Sequence, residues 1–136
     1  MKRNIILGVI LALGVTVMTG CGGGGGSNDN SPAATNSPFA GSYLGTFSTT
    51  NPQSGTLNVT VGSNGTLTGT GHNNTAGQDE TISGSVTNAG AGSVTFTYPT
   101  FSASASGTIA FASNGHLVGT FTQSSGGSVT IDLIKQ

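Results

Sequence analysis

The stretch GTLNVTVGSNGTLTGT, residues 55–70, decides the fold. Leu57, Val59 and Val61 alternate with Thr56, Asn58 and Thr60. Ser63-Asn64-Gly65 interrupts the run, and Leu67 then alternates with Thr66, Thr68 and Thr70. Successive side chains of a strand point to opposite faces, so strict alternation predicts strands with one buried face. Asn-Gly between two such runs is the strongest short-range hairpin signal, because both residues tolerate positive φ. The stretch therefore predicts an antiparallel hairpin.

A second copy, GTIAFASNGHLVGT, occupies residues 107–120. It shares Gly-Thr-apolar, Ser-Asn-Gly and x-Leu-x-Gly-Thr with the first, and its first arm is shorter by a two-residue step that preserves the facing of every side chain. Working outward from these hairpins, short alternating runs between turn signals predict eight strands, near 41–48, 55–62, 66–72, 80–87, 92–98, 101–112, 116–123 and 127–134. Short connections make neighbours antiparallel, in an up-and-down meander. One face carries Tyr43, Phe47, Leu57, Ile82, Phe96, Phe101, Ile109, Phe111, Phe121 and Ile131, with the intervening Val and Leu residues. The other face is largely Ser and Thr. A single apolar face on every strand implies one core, enclosed by an eight-stranded barrel or, alternatively, a β-sandwich.

Gly45, Gly69, Gly84, Gly107 and Gly119 fall on the apolar face. Glycine inside a strand marks a bend or a close approach of backbone, and this many on the concave side favours the tight coiling of a small barrel. The run from Leu57 through the turn to Leu67-Thr68-Gly69-Thr70 is similar to the early hairpin of the avidin and streptavidin family. That resemblance implies a β-barrel. It does not imply biotin, which the family grips largely with tryptophans; this chain has none.

The N-terminus carries a different message. Met1-Lys2-Arg3 is followed by an apolar run to Met18 and then by Thr19-Gly20-Cys21. Positive charge, a short apolar stretch and small residues are the pattern of an export signal, and the run falls short of the roughly 20 apolar residues that span a bilayer. Met18-Thr19-Gly20-Cys21 resembles the lipobox of bacterial lipoproteins, although the family most often has Leu where Met18 stands. The resemblance implies cleavage before Cys21, acylation of its thiol and amine, and anchorage to a membrane. Gly22 replaces the Asp that marks inner-membrane retention in many such proteins, so the outer membrane is expected. The division is then 1–20 signal peptide, 21–38 lipidated Cys21 and tether, and 39–136 all-β domain. The Gly/Ser/Asn-rich tether is flexible, and about 17 residues give an r.m.s. reach on the order of 20–25 Å.

Beyond the signal, one base, Lys135, stands against Asp29, Asp79, Glu80 and Asp132. Nucleic acid, which needs several Lys or Arg to displace counterions, is excluded as a partner. Cys21 is the only cysteine, so the domain has no internal disulfide. His72, Asp79 and Glu80 share the segment GHNNTAGQDE and are the candidates for a metal or acid–base site, although their spacing matches no ligand motif. The serines lack a G-x-S-x-G elbow. No catalytic, cofactor or metal residues are assigned, and no charged side chain is expected on the inward face of a strand. Phe39 and the turn Tyr98–Phe101 are the aromatics expected to reach a rim. The expected protein is a non-enzymatic lipoprotein displaying a structural or interaction module. The alternative is a lipocalin-like carrier of a small apolar ligand in the barrel interior.

Overall fold

The computed structural model describes residues 36–136. The signal peptide, Cys21 and all but the end of the tether lie outside the described residues. Eight strands follow in order: β1 (Gly41–Thr49), β2 (Ser54–Val61), β3 (Thr66–Asn73), β4 (Gln78–Val86), β5 (Ala91–Thr97), β6 (Ser102–Phe111), β7 (Leu117–Gln123) and β8 (Ser128–Lys135). Each pairs antiparallel with the next, and β1 pairs with β8 from Tyr43↔Lys135 to Thr49↔Val129. The sheet is a closed up-and-down barrel, not a sandwich.

The two faces segregate as the alternation requires. Tyr43, Val61, Leu117, Val129 and Leu133 are almost wholly sealed, with Phe47, Ile82, Phe96, Ile109 and Phe121 buried among them. The enclosed void is apolar and only about 30 Å³. Side chains fill the interior, as eight strands allow. Outside, hydroxyls fall into cross-strand rows. Thr60, Thr68, Ser83, Thr95 and Ser104 are successive register partners from β2 to β6. Cross-strand Thr/Ser pairs of this kind contribute about 0.2–1 kcal/mol each, which suits a surface almost without charge.

The inward glycines are where strands come closest. A Cβ on Gly45 would fall on the carbonyl oxygen of Asp132, one on Gly84 on that of Ser93, and one on Gly107 on that of Thr120. These positions hold backbone against backbone, so they curl the sheet and add no interior space.

The Ser-Asn-Gly turns are one residue longer than the Asn-Gly reading assumes. Gly65 N–H donates to Gly62 C=O, Gly62 N–H donates to Thr66 C=O, and Gly65 takes the left-handed φ of 82°. Asn64 Oδ1 accepts from Thr66 N–H at 3.0 Å. Asn114 repeats that bond to His116 N–H, with Gly115 at φ 81°. These are three-residue loops ending in a left-handed glycine, whose bulge suits strongly twisted strands.

The two ends differ. At one, which carries the loops after β2, β4 and β6, the chain enters as a plug. Ser37 N–H donates to Ser63 C=O at 2.7 Å, and Phe39, expected at a rim, is buried with its carbonyl accepting from the Tyr43 hydroxyl at 2.7 Å. Phe111, expected in the core, is 46% exposed. Its register is inward, but it stands at the lip of this sealed end, where its ring packs against buried Phe39 with centroids 5.6 Å apart and 30° between the planes. Phe101, which shares the inward parity but closes the turn expected to reach a rim, lies before β6 and is 54% exposed at the opposite end.

Candidate functional site

The opposite end is open. It carries the loops after β1, β3, β5 and β7, and encloses a cup of about 180 Å³. Phe47, Phe96 and Val129 form its apolar wall, Asn51, Gln53, Gln123 and Ser125 its polar rim, and Tyr98 and Phe101 one side. The aromatic pair is built by a two-residue loop, Pro99–Thr100, closed by Tyr98 N–H donating to Phe101 C=O at 2.8 Å. The two rings stack at 4.4 Å with 18° between their planes. Tyr98 packs inward on the core and Phe101 faces out.

Behind Tyr98 lies a buried polar group. Glu80 shares the inward parity of Ile82 and Val86 on β4, and is only 3% exposed. The expectation of no charged side chain on the inward face of a strand therefore fails at Glu80. Its carboxylate lies over Gly71, its register partner on β3, where a Cβ would meet Oε1 at 2.5 Å. Neither carboxylate oxygen meets a hydrogen-bond donor among the described residues. The Tyr98 hydroxyl couples to it as a close electrostatic neighbour, short of a formed bond. Burial pushes the Glu80 carboxyl up, and the Tyr98 hydroxyl partly opposes this. Burial, then Glu80 itself, pushes Tyr98 up to about 12 against a lowering contribution from Asn73.

Asn73, also buried, braces the rim. Its Oδ1 accepts from Thr75 N–H at 3.1 Å and Ala76 N–H at 2.9 Å, and its Nδ2 donates to Gln53 Oε1 at 3.0 Å. Nothing in the composition flags Asn73. A polar residue closing a strand before a turn reads as loop until the register is known.

The structure divides the other candidates. His72 Nδ1 and Asp79 Oδ1 are 2.6 Å apart on the outer face, as cross-strand partners of β3 and β4. Glu80 points the other way, so the three do not converge. His116 makes a second outer pair with Asp132 at 2.7 Å. Among the described residues no three His, Cys, Asp or Glu side chains gather to hold a metal ion. A broad open concavity of about 720 Å³ crosses the outer face beside His72–Asp79, floored by Thr56, Asn58, Thr70 and Thr81.

Fold and site together define an eight-stranded, closed, antiparallel up-and-down β-barrel with one sealed and one open end. Solved structures similar to it include a barrel from the de novo design of a fluorescence-activating β-barrel, at 16% identity and a TM-score of 0.51, covering 72% of this chain and 94% of that one. A redesigned β-barrel matches at 18% identity and 0.52, covering 72% and 91%. At these identities the likeness is one of fold. No protein-family model and no curated protein matches the chain.

Proposed function

We propose that this chain is a lipid-anchored, non-enzymatic module of the bacterial cell envelope that presents the open end of its barrel as an interaction surface. The observation that carries the reading is the polarity of the barrel. The chain joins it at the sealed end, through Ser37 and Phe39, and the cup with Tyr98 and Phe101 lies at the other. A tether running from an acylated Cys21 thus meets the face away from the cup. Two or three acyl chains anchor firmly where one is marginal, at about 0.8 kcal/mol per buried methylene. The interior void of about 30 Å³ supports an interaction module over a carrier of an apolar ligand inside the barrel. The separation of Glu80 from His72 and Asp79 supports a non-enzymatic role.

The test is the anchor. Cys21→Ser is expected to move the protein out of the outer-membrane fraction and to abolish metabolic labelling with palmitate. A Cys21→Ser protein that still sediments with membranes refutes the reading.

A further inference from the structure

We propose that the open cup binds a single neutral saccharide ring, stacked on the exposed face of Phe101 and hydrogen-bonded by the side-chain amides of Gln53 and Gln123. The inference deepens the preceding reading by naming what the open end takes, and it rests on that reading only for the open end being the working surface.

Charge comes first. The residues lining the cup include no Asp, Glu, Lys, Arg or His. An ionic ligand would shed water there without a partner, at a cost of several kcal/mol. The only carboxyl nearby, Glu80, is sealed behind Tyr98 with both oxygens out of reach of solvent. A long apolar chain fits no better, because the void below the cup holds about 30 Å³.

What the cup offers at its rim is one well-exposed ring, Phe101, with amides and hydroxyls around it; Phe47 and Phe96 in its wall are only 5% and 6% exposed. The inner face of Phe101 is taken by Tyr98, which leaves only the outer one. A flat heteroaromatic ligand gains most between two exposed rings, and the other rings of the cup, Phe47 and Phe96, are packed into the core. A pyranose has an apolar C–H face for a single ring and hydroxyls all around its edge. Those hydroxyls both donate and accept, which is what amide side chains match.

The amides are not interchangeable rotors. Two backbone N–H groups occupy Asn73 Oδ1, so the group Asn73 turns to Gln53 is its NH2. Gln53 must answer with its carbonyl, and the amino group is what it presents to the cup. Asn73 is 1% exposed, which fixes this donor from behind. The closed Pro99–Thr100 loop fixes the ring pair in the same way. A site with its aromatic and its donor already in place loses little entropy on binding.

The experiment uses the full chain in a detergent without a sugar headgroup. Methyl β-glucoside, methyl β-galactoside and N-acetylglucosamine are titrated in turn, following the side-chain amide signals of Gln53 and Gln123 by NMR. We expect saturable one-to-one binding of at least one, with Kd on the order of 1 mM for so small a ligand. Phe101→Ala and Gln53→Leu should each weaken it about tenfold or more, and Phe111→Ala, the exposed phenylalanine at the sealed end, should leave it unchanged. Unaltered backbone amide signals of β1–β8 certify each variant as folded. No saturation with any of the three sugars overturns the proposal. So does binding that survives Phe101→Ala in a folded protein, or tighter binding of adenine or indole than of every sugar. Palmitate on Cys21 is assayed separately, so loss of sugar binding in an acylated protein overturns this proposal alone.

Discussion

Gly107→Ala tests the claim that backbone meets backbone at the inward glycines. On intrinsic preference alone the change should stabilise, since glycine in a strand interior costs about 0.5–1 kcal/mol relative to alanine. The barrel reverses the sign. The new methyl would fall on the carbonyl oxygen of Thr120 and lie 2.6 Å from Phe121 Cα, both on the neighbouring strand β7. Ordinary carbon contacts need roughly 3.5 Å or more, so β7 must retreat by roughly 1 Å. Overpacking of this kind costs about 1–3 kcal/mol. The retreat also stretches ladder bonds around the Gly107↔Phe121 pair, each contributing a net of about 1 kcal/mol. After the intrinsic gain is subtracted, a loss of about 1–3 kcal/mol remains. For a domain of this size that lowers Tm by about 4–8 °C per kcal/mol. Urea unfolding followed by circular dichroism reads the difference directly. The neighbouring outward change, Thr108→Ala, should stay within about 0.5 kcal/mol. A Gly107→Ala protein as stable as the parent would refute the close approach, and with it the reason the barrel curls so tightly.

Two further outcomes are expected. Phe121→Ala should cost about 3–5 kcal/mol, because its ring is 4% exposed, whereas Phe111→Ala should cost only about 1 kcal/mol, the scale of its ring contact with Phe39; equal shifts of the denaturation midpoint would reject the burial assignment. Glu80→Gln should change how stability depends on pH. The folded chain holds the Glu80 proton above the ordinary value of 4.5, at pH where the unfolded chain has released it. The carboxyl's contribution is therefore full at low pH and lost as pH rises through the raised value. The Tm of Glu80→Gln relative to the parent should climb as pH rises above about 4.5, and a difference independent of pH would refute a buried, unpartnered carboxyl.

The strands were legible because each has one face that must avoid water. Leu57-x-Val59-x-Val61 and Val129-x-Ile131-x-Leu133 leave no other register, and the turn glycines set the ends. Closure was legible through Gly45, Gly84 and Gly107, which make sense only where strands crowd. What the sequence hid lies at the ends of the barrel. Depth along the axis decides whether an inward ring is enclosed, and alternation is silent on depth. Phe111 at the lip and Phe121 further in share a parity and differ in exposure. Glu80 was hidden for a related reason. The expected strand opens at residue 80, which leaves Glu80 at its very start beside an apparent loop, yet the connection is only residues 74–77 and the strand begins at Gln78. Extending the parity of Ile82 by two residues finds Glu80 inside. The cup draws on loops after β1, β5 and β7, which only the closed topology brings together.

The seam between β1 and β8 governs how this chain acquires its structure in time. Every other strand pair joins neighbours in sequence, while Tyr43 finds its partner in Lys135 and Thr49 in Val129. Closing a loop roughly ten times longer than a hairpin costs about 2 kcal/mol more in chain entropy, and contacts of such separation slow folding. Synthesis delivers β8 last, so until residue 135 has emerged β1 presents an unpaired edge, as does the last strand then formed. The hydroxyl-rich outer face carries almost no charge to keep two such edges on different chains apart. The covalent segment between them holds each chain's own β8 near its β1, favouring closure within one molecule over pairing between two.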